Sequence, residues 1–243
     1  MDMATLEKIV SEAKVFSFDI DGTLLDSYTY MRDVIQILLL YIGVPANMLE
    51  MLTDEVYMKW YELEKQGVMD YGKFHVFLED FARKYSINVK YDVEKFKELM
   101  LEARIRGSQP YKCAFKLLAE LKKAGRKVVS VSGGDGVPGM KYKRIAESGL
   151  AQFLDKIIVV YEDVPSRVDG LIKVAEELGV PREEIVHVDD RAKFALEVYN
   201  AGFKAIVVKT NFFDPYYSLP EEIPVVDSLC TILDIIAKTP PKQ

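Results

Sequence analysis

Two aspartates placed two residues apart are the strongest indication of chemistry in this sequence. Asp19 and Asp21 follow the apolar run Val15–Phe18, which is typical of a buried strand. Carboxylates this close repel each other, and burial makes each ionised form more costly. A chain that keeps both usually binds a cation or moves a proton. The other interpretation is a hairpin turn, because Asp-Gly after a hydrophobic run is typical of one.

Further strands and helices must hold these residues in place. Beyond residue 108, strand runs rich in β-branched residues alternate with helical patterns, which favours a doubly wound α/β fold with a parallel sheet. Residues 27–108 carry only amphipathic helical patterns. We therefore predict an α/β core domain of residues 1–26 and 109–243, with a helical domain inserted at 27–108. The predicted core strands that follow the insertion are 127–132, 156–160, 184–189 and 205–208.

Composition narrows the possible partners and the compartment. The 243 residues carry a net charge of -6, which argues against nucleic acid or an anionic membrane as partner. No signal peptide or bilayer-length apolar run is evident, so we expect a cytoplasmic protein. Cys113 and Cys230 stand far apart in helical surroundings, which favours buried free thiols over a disulfide. His75 and His187 are too few for a zinc site.

Functional residues should gather where the parallel strands end, because ligands of open α/β sheets bind beyond those ends. Oxygen ligands without Cys or His suit Mg²⁺. A hydroxyl beside glycines can hold phosphate oxygens through backbone N–H groups. The sequence therefore indicates phosphate and magnesium chemistry. The residues at three predicted strand ends are Asp19 and Asp21, Ser132 and Gly133, and Asp189 and Asp190.

These motifs resemble those of the haloacid dehalogenase (HAD) superfamily of hydrolases with a helical cap after the first motif. Residues 18–27 are similar to the family's first motif, DxDGT followed by Asp-Ser. Residues 128–133 are similar to the second motif, an apolar strand that ends in Ser or Thr. Residues 185–190 are similar to the fourth, an apolar strand that ends in acidic residues. Over the cap the resemblance is limited to helical character and position.

The resemblance implies a role for each residue. Asp19 would be the nucleophile that forms an aspartyl-phosphate, and Asp21 would protonate the leaving oxygen and then activate water. The Asp19 carboxylate, the Asp21 backbone carbonyl and Asp190 would hold Mg²⁺. Thr23 would support the geometry of Asp21, and Gly22 would permit the tight exit from the strand.

The phosphoryl oxygens would be bound by Ser132 and the Gly133 N–H. Considered alone, Ser132 is more readily explained as a helix N-cap or a loop serine.

Two departures from the family pattern affect this assignment. The third motif usually has a lysine, where this chain has Arg167 as the nearest cation and Lys173 further along the predicted helix. Guanidinium matches phosphate geometry but does not replace ammonium neutrally. The fourth motif is the double aspartate Asp189-Asp190, and Phe194 stands near the place of the usual later carboxylate. Asp190 is our choice for direct metal contact, with Asp189 outside it or paired to the cation.

We therefore expect a Mg²⁺-dependent phosphatase that acts on a small phosphorylated metabolite, as a monomer or a homodimer. Asp21 and the double aspartate favour phosphate chemistry over a 2-haloacid dehalogenase, which needs no metal and no second acid. A phosphomutase of the same fold and a catalytically idle phosphate-binding protein remain alternatives. The sequence does not identify the substrate.

Overall fold

The computed structural model describes residues 3–238 and divides into two compact units. Unit 1 comprises Met1–Asp26, Gln109–Gly134 and Ile145–Gln243, and unit 2 comprises Ser27–Ser108 and Asp135–Arg144. Residues 1–2 and 239–243 of the predicted core domain lie outside the described residues. No helix within residues 3–238 is long and apolar enough to cross a membrane.

Strands and helices alternate through unit 1, whereas the regular structure of unit 2 is helical. The strands are β1 (Val15–Phe18), β2 (Leu25–Asp26), β3 (Gln109–Pro110), β4 (Lys127–Gly133), β5 (Lys156–Val160), β6 (Ile185–Asp189), β7 (Lys204–Val208) and β8 (Val225–Val226). The helices are α1 (Met3–Glu12), α2 (Met31–Tyr41), α3 (Ala46–Gln66), α4 (Phe74–Lys84), α5 (Val93–Gly107), α6 (Ala114–Lys123), α7 (Met140–Glu147), α8 (Arg167–Leu178), α9 (Ala192–Asn200) and α10 (Leu229–Ile236).

The main sheet of unit 1 is parallel and has the order β5-β4-β1-β6-β7-β8 within the described residues. The strand β1 lies at its centre, so the residues that follow β1 are flanked by the ends of β4 and β6. A separate antiparallel pair, β2 with β3, lies where the chain leaves the core and returns to it. Because β1 pairs in parallel with distant strands, the hairpin interpretation of Asp21-Gly22 is wrong.

Both faces of the sheet are covered by helices. Phe16 and Phe18 point to one face, where they join a hydrophobic cluster with α1, α6 and α10. Val15 points to the opposite face and packs in a second cluster with Leu171 and Val174 of α8. This alternation of strand side chains is expected when each face of a parallel sheet is buried. The structure confirms the predicted doubly wound α/β fold.

Unit 2 has its own buried interior. Trp60 and Phe74 are fully buried, and the Trp60 indole donates a hydrogen bond to Tyr71 Oη over 3.1 Å. Tyr71 in turn donates to Glu64 Oε1 over 2.6 Å, which satisfies a buried carboxylate. Burial raises the pKa of Tyr71 well above its usual value, so the phenol stays a neutral donor.

Residues 135–144 pack with unit 2, although they belong to the core domain predicted from the sequence. Asp135 Oδ1 accepts from Arg144 Nη1 over 2.8 Å and lies 3.3 Å from Arg104 Nη2 of α5. Arg144 also donates to Ser27 Oγ and Ser108 Oγ, over 2.6 and 3.0 Å. Pairing these buried charges explains why the segment groups with the helices. That the helices act as a cap stays a prediction.

Cys113 and Cys230 form a disulfide, so the prediction of two free thiols is wrong. Their Cα atoms lie 5.3 Å apart although 117 residues separate them in sequence. Cys113 is the N-cap residue of α6, and Cys230 lies in the first turn of α10. These two helices pack on the same face of the sheet, which brings the thiols together. Sequence spacing carries no information about such a contact.

We expect reduction of this disulfide to destabilise the protein by about 2–4 kcal/mol, because closing a long loop removes entropy from the unfolded chain. Urea unfolding with and without a strong reductant measures the effect. The Cys113→Ser/Cys230→Ser protein is the control, since its midpoint should match that of the reduced wild type and ignore the reductant. Equal midpoints for oxidised and reduced wild type would contradict the prediction.

Candidate active site

The ends of β1 and β6 bring three acidic residues of unit 1 together. Phe18 is paired with Val188 across β1 and β6, and the Asp19 N–H continues the ladder to Val188 O over 2.9 Å. Asp19 therefore leaves β1 beside the point where β6 ends in Asp189 and Asp190. Carboxylate oxygens of these three residues lie within 4.8 Å of one another, and all three side chains are buried.

The buried carboxylate cluster needs positive charge nearby. Burial, and then the neighbouring Asp189 and Asp19, raise the pKa of Asp190 well above its usual value. Asp190 Oδ1 is buried and has no hydrogen-bond partner within the described residues. A buried carboxylate oxygen without a hydrogen-bond partner, beside two further carboxylates, suits a hard divalent cation such as Mg²⁺. Each member of this cluster offers a carboxylate oxygen as its metal ligand. Asp19, Asp189 and Asp190 are thus the residues that could hold a metal.

Arg167 supplies one cation directly to the cluster. Its Nη2 donates to Asp19 Oδ1 over 2.7 Å, and its Nε lies 3.4 Å from Asp189 Oδ2. The guanidinium also stacks 4.0 Å above the ring of Phe194. Burial acts to lower the pKa of Arg167, but Asp189 and Asp19 outweigh it and raise the pKa. Lys173, the other candidate cation, is exposed on α8.

The position of Arg167 follows from the start of α8. Ser166 is the N-cap, and its Oγ accepts from the Asp169 N–H over 3.1 Å. The helix therefore begins at Arg167, whose side chain reaches the end of β1. Phe194 lies on α9 and provides a flat surface for the Arg167 guanidinium.

Asp189 is held by partners that the sequence motifs do not indicate. His187 Nε2 lies 3.3 Å from Asp189 Oδ2, and His187 Nδ1 lies 2.9 Å from Ser17 Oγ. The Arg191 N–H donates to Asp189 Oδ1 over 2.8 Å. Burial alone would raise the pKa of Asp189, but Arg167 and His187 reverse the shift and lower it. An ionised Asp189 only accepts hydrogen bonds, so His187 donates through Nε2.

A period of two along β6 places His187 and Asp189 on the same side of the sheet. Ser17 is directly opposite His187 in the register of β1 and β6. The sequence alone therefore could have shown that His187 and Asp189 share a face of the strand. The sequence could not have shown that β1 pairs with β6, because Ser17 and His187 are 170 residues apart.

The loop after Asp19 closes on itself and holds Asp21 near the strand end. Asp21 forms an isolated bridge with Leu25, and the Gly22 N–H donates to Leu25 O over 2.8 Å. Gly22 has φ +82°, and a Cβ there would lie 2.0 Å from Asp190 Oδ2. Only glycine therefore allows the loop after β1 to approach the loop after β6 this closely. Thr23 Oγ1 is buried and makes no hydrogen bond within the described residues, so it shows no direct support of Asp21.

Ser132 and Gly133 form the end of β4, next to β1 in the sheet. Ser132 is buried and its Cα pairs with that of Val159, while Gly133 is partly buried. Ser132 and Gly133 thus lie at a strand end next to that of Asp19, in the same sheet as Asp189. Their binding of a phosphoryl group stays a prediction.

Most of the chain matches the profile of one protein family. The profile of the family described as haloacid dehalogenase-like hydrolase matches residues 13–195. This chain belongs to that family. It is accordingly a HAD-like hydrolase, as the motifs predicted. Among curated proteins, no sequence match is found.

Solved structures with the same fold include dehalogenases and a protein described as a predicted phosphatase. An L-2-haloacid dehalogenase from Xanthobacter autotrophicus with covalently bound chloropropionic acid has 20% identity, a TM-score of 0.63, and coverage of 94% of this chain and 100% of its own. The HAD-hydrolase YfnB from Bacillus subtilis, bound to magnesium, has 19% identity, a TM-score of 0.67, and coverage of 92% and 98%. A predicted phosphoglycolate phosphatase from Haemophilus somnus 129PT has 15% identity, a TM-score of 0.62, and the same coverage as YfnB. At this identity the likeness shows only the fold.

Proposed function

We propose that this HAD-like hydrolase is a Mg²⁺-dependent phosphatase for a small phosphate monoester. The observation that carries the proposal is the buried cluster of Asp19, Asp189 and Asp190, with its unpartnered Asp190 Oδ1. Asp21, two residues beyond Asp19, adds a carboxyl group that can carry a proton. A metal ion bound to Asp19 and Asp190 would supply positive charge against the phosphoryl oxygens.

In the first step, Asp19 attacks phosphorus, and the ester P–O bond breaks. Asp21 gives its proton to the leaving alkoxide, which departs as an alcohol. Arg167, fixed between Asp19 and Asp189, restrains the nucleophile and faces the phosphoryl oxygens with its remaining N–H donors. Ser132 Oγ and the Gly133 N–H bind the same group.

In the second step, water attacks phosphorus of the aspartyl-phosphate. Asp21, now ionised, takes a proton from that water, and the bond between phosphorus and Asp19 breaks. Phosphate leaves and Asp19 is a free carboxylate again. Asp189 takes no part in bond changes, since its Oδ2 is paired with His187 and the Arg167 guanidinium and its Oδ1 accepts from the Arg191 N–H.

A 2-haloacid dehalogenase is the second candidate, favoured by the likeness to the Xanthobacter autotrophicus enzyme. Asp19 would then displace halide from carbon. Neither the acid at Asp21 nor three converging carboxylates is needed for that reaction, so both features favour the phosphatase. A phosphomutase shares the chemistry of the first step, and an idle phosphate-binding protein would share only the binding.

The two candidates differ in the product that they release. We expect phosphate release from an aryl phosphate in Mg²⁺, and no halide release from 2-chloropropionate in Mg²⁺ or in EDTA. A panel of phosphorylated metabolites then identifies the substrate class. Halide release that survives EDTA would establish the dehalogenase, whereas saturable phosphate binding without turnover would establish the idle protein.

Replacing Arg167 tests its role in place of the usual lysine. Arg167→Lys keeps the charge but loses the second contact with Asp189 and the flat stacking on Phe194, so we expect turnover to fall about 10-fold. Arg167→Ala should lose roughly 10²–10³-fold. Arg182→Lys is the matched control, because Arg182 is an exposed arginine that also stacks on a phenylalanine, Phe203. Wild-type turnover of aryl phosphate by Arg167→Ala would refute the role.

We infer a monomer or a homodimer with no nucleic-acid or membrane partner, located in the cytoplasm. Disulfides are uncommon in that compartment except in hyperthermophilic organisms, so the Cys113–Cys230 bond makes cell fractionation the decisive measurement.

A further inference from the structure

Thr210 joins the loops that follow three strands of the core. It lies two residues beyond the end of β7, outside every motif that resembles the family. Its hydroxyl donates to the carbonyl oxygen of Gly22 in the loop after β1. The same hydroxyl also donates to Asp190 Oδ2, after β6, over 3.1 Å, so its single proton is shared between two acceptors. A single side chain thus contacts both the first-motif loop and the fourth-motif carboxylate.

The contact distinguishes the two oxygens of Asp190. Oδ2 has the Thr210 hydroxyl as a neighbour, whereas Oδ1 is buried and has no hydrogen-bond partner within residues 3–238. A half-turn of the carboxylate would only exchange its two equivalent oxygens, whereas any smaller rotation would break the contact with Thr210. Holding Oδ2 therefore fixes the direction in which Oδ1 points.

Gly22, whose carbonyl oxygen accepts from Thr210, also packs directly against the Asp190 carboxylate. A Cβ on Gly22 would overlap Asp190 Oδ2, so these two residues are packed as closely as their atoms allow. The Thr210 hydroxyl bridges this contact and keeps the loop after Asp21 against the Asp190 carboxylate. Without that hydroxyl, neither Gly22 O nor Asp190 Oδ2 would keep this partner.

We propose that Thr210 is a positioning residue, which orients Asp190 so that its Oδ1 faces a divalent cation. The inference rests on the proposed function, because it takes Asp190 as a metal ligand. Hydrogen-bonding partners of metal ligands commonly contribute 10–100-fold to metal affinity. Thr210 touches neither substrate nor reacting atoms in this role.

Binding of Mn²⁺ to the full-length protein, followed by electron paramagnetic resonance, tests the inference without an activity assay. We expect Thr210→Val to raise the Mn²⁺ dissociation constant about 10-fold or more, while Thr210→Ser keeps the wild-type value because it keeps the hydroxyl. Thr53→Val is the matched control, since Thr53 is a buried threonine of unit 2 whose hydroxyl donates to Leu49 O over 2.8 Å. It should bind Mn²⁺ like the wild type. Thr210→Ala is a second hydroxyl-free variant if Thr210→Val does not fold.

The outcomes separate this inference from the proposed function. Wild-type protein that binds no Mn²⁺ would overturn the metal site, and this inference with it. Wild-type binding with unchanged affinity in Thr210→Val or Thr210→Ala would overturn the inference alone. Weaker binding in both hydroxyl-free variants, with normal binding in Thr210→Ser, would support it. The Mg²⁺ concentration for half-maximal turnover should then rise in the same variants, while turnover at saturating Mg²⁺ changes less.

Discussion

Replacing Asp19 by Asn should lower the hydrolysis of an aryl phosphate by about 10⁴-fold or more, because the variant keeps the shape of the side chain but has no nucleophilic carboxylate. Asp19 is buried against Arg167, so the amide also leaves that guanidinium with one fewer charged partner. Release of aryl alcohol in saturating Mg²⁺ measures the rate.

The control for this substitution is Asp234→Asn. Asp234 is exposed on α10 of the same unit, and its change to Asn should leave the rate at the wild-type value. Circular dichroism of both variants establishes that they are folded. Turnover of Asp19→Asn within 10-fold of wild type would remove Asp19 from the chemistry, and the proposed mechanism with it.

Gly22→Ala should have the second large effect. The new Cβ would lie 2.0 Å from Asp190 Oδ2, so either the loop or the carboxylate must move. A displacement of about 1 Å at a reacting centre can cost about 10²-fold in rate, and we expect at least that loss together with weaker Mg²⁺ activation. The positive φ adds a stability loss of about 1–3 kcal/mol.

Gly125→Ala separates the steric effect from backbone strain. Gly125 has φ +72°, and nothing lies within 4 Å of a Cβ built there. Its substitution should therefore reduce the free energy of unfolding but leave the rate and the Mg²⁺ requirement unchanged. If Gly22→Ala behaves like Gly125→Ala in all three measurements, the close approach of Gly22 to Asp190 has no functional importance.

The α/β core could be predicted because its physical causes are local. Apolar β-branched runs between helical patterns mark β4 to β7, and parallel pairing follows from their alternation with helices. Arg167 was predicted differently, as the cation nearest to the place of the family's third motif, and the structure puts it at the start of α8 after the N-cap Ser166. The surroundings of Cys230 were predicted to be helical, but no bounds were predicted for the terminal helix α10.

The features that sequence did not show depend on contacts between distant segments. Cys113 meets Cys230 only because α6 and α10 share one face of the sheet. Ser17 meets His187 only because β1 and β6 are neighbours, and Thr210 meets Asp190 only because β6 and β7 are. Knowledge of the strand order would have revealed the contact of Ser17 with His187, which are opposite each other in the register of β1 and β6. The contact of Thr210 with Asp190 also depends on the path of the loop after β7, because the register places Asp190 level with Val208.

The requirement for Mg²⁺ is the most direct test of the proposed function. Metal-stripped protein is assayed for aryl phosphate hydrolysis in EDTA and again after stepwise addition of Mg²⁺. The proposed site predicts almost no turnover in EDTA, a saturable rise with Mg²⁺, and a higher Mg²⁺ requirement in Asp190→Asn. Equal rates in EDTA and in saturating Mg²⁺ would contradict a magnesium-dependent phosphatase.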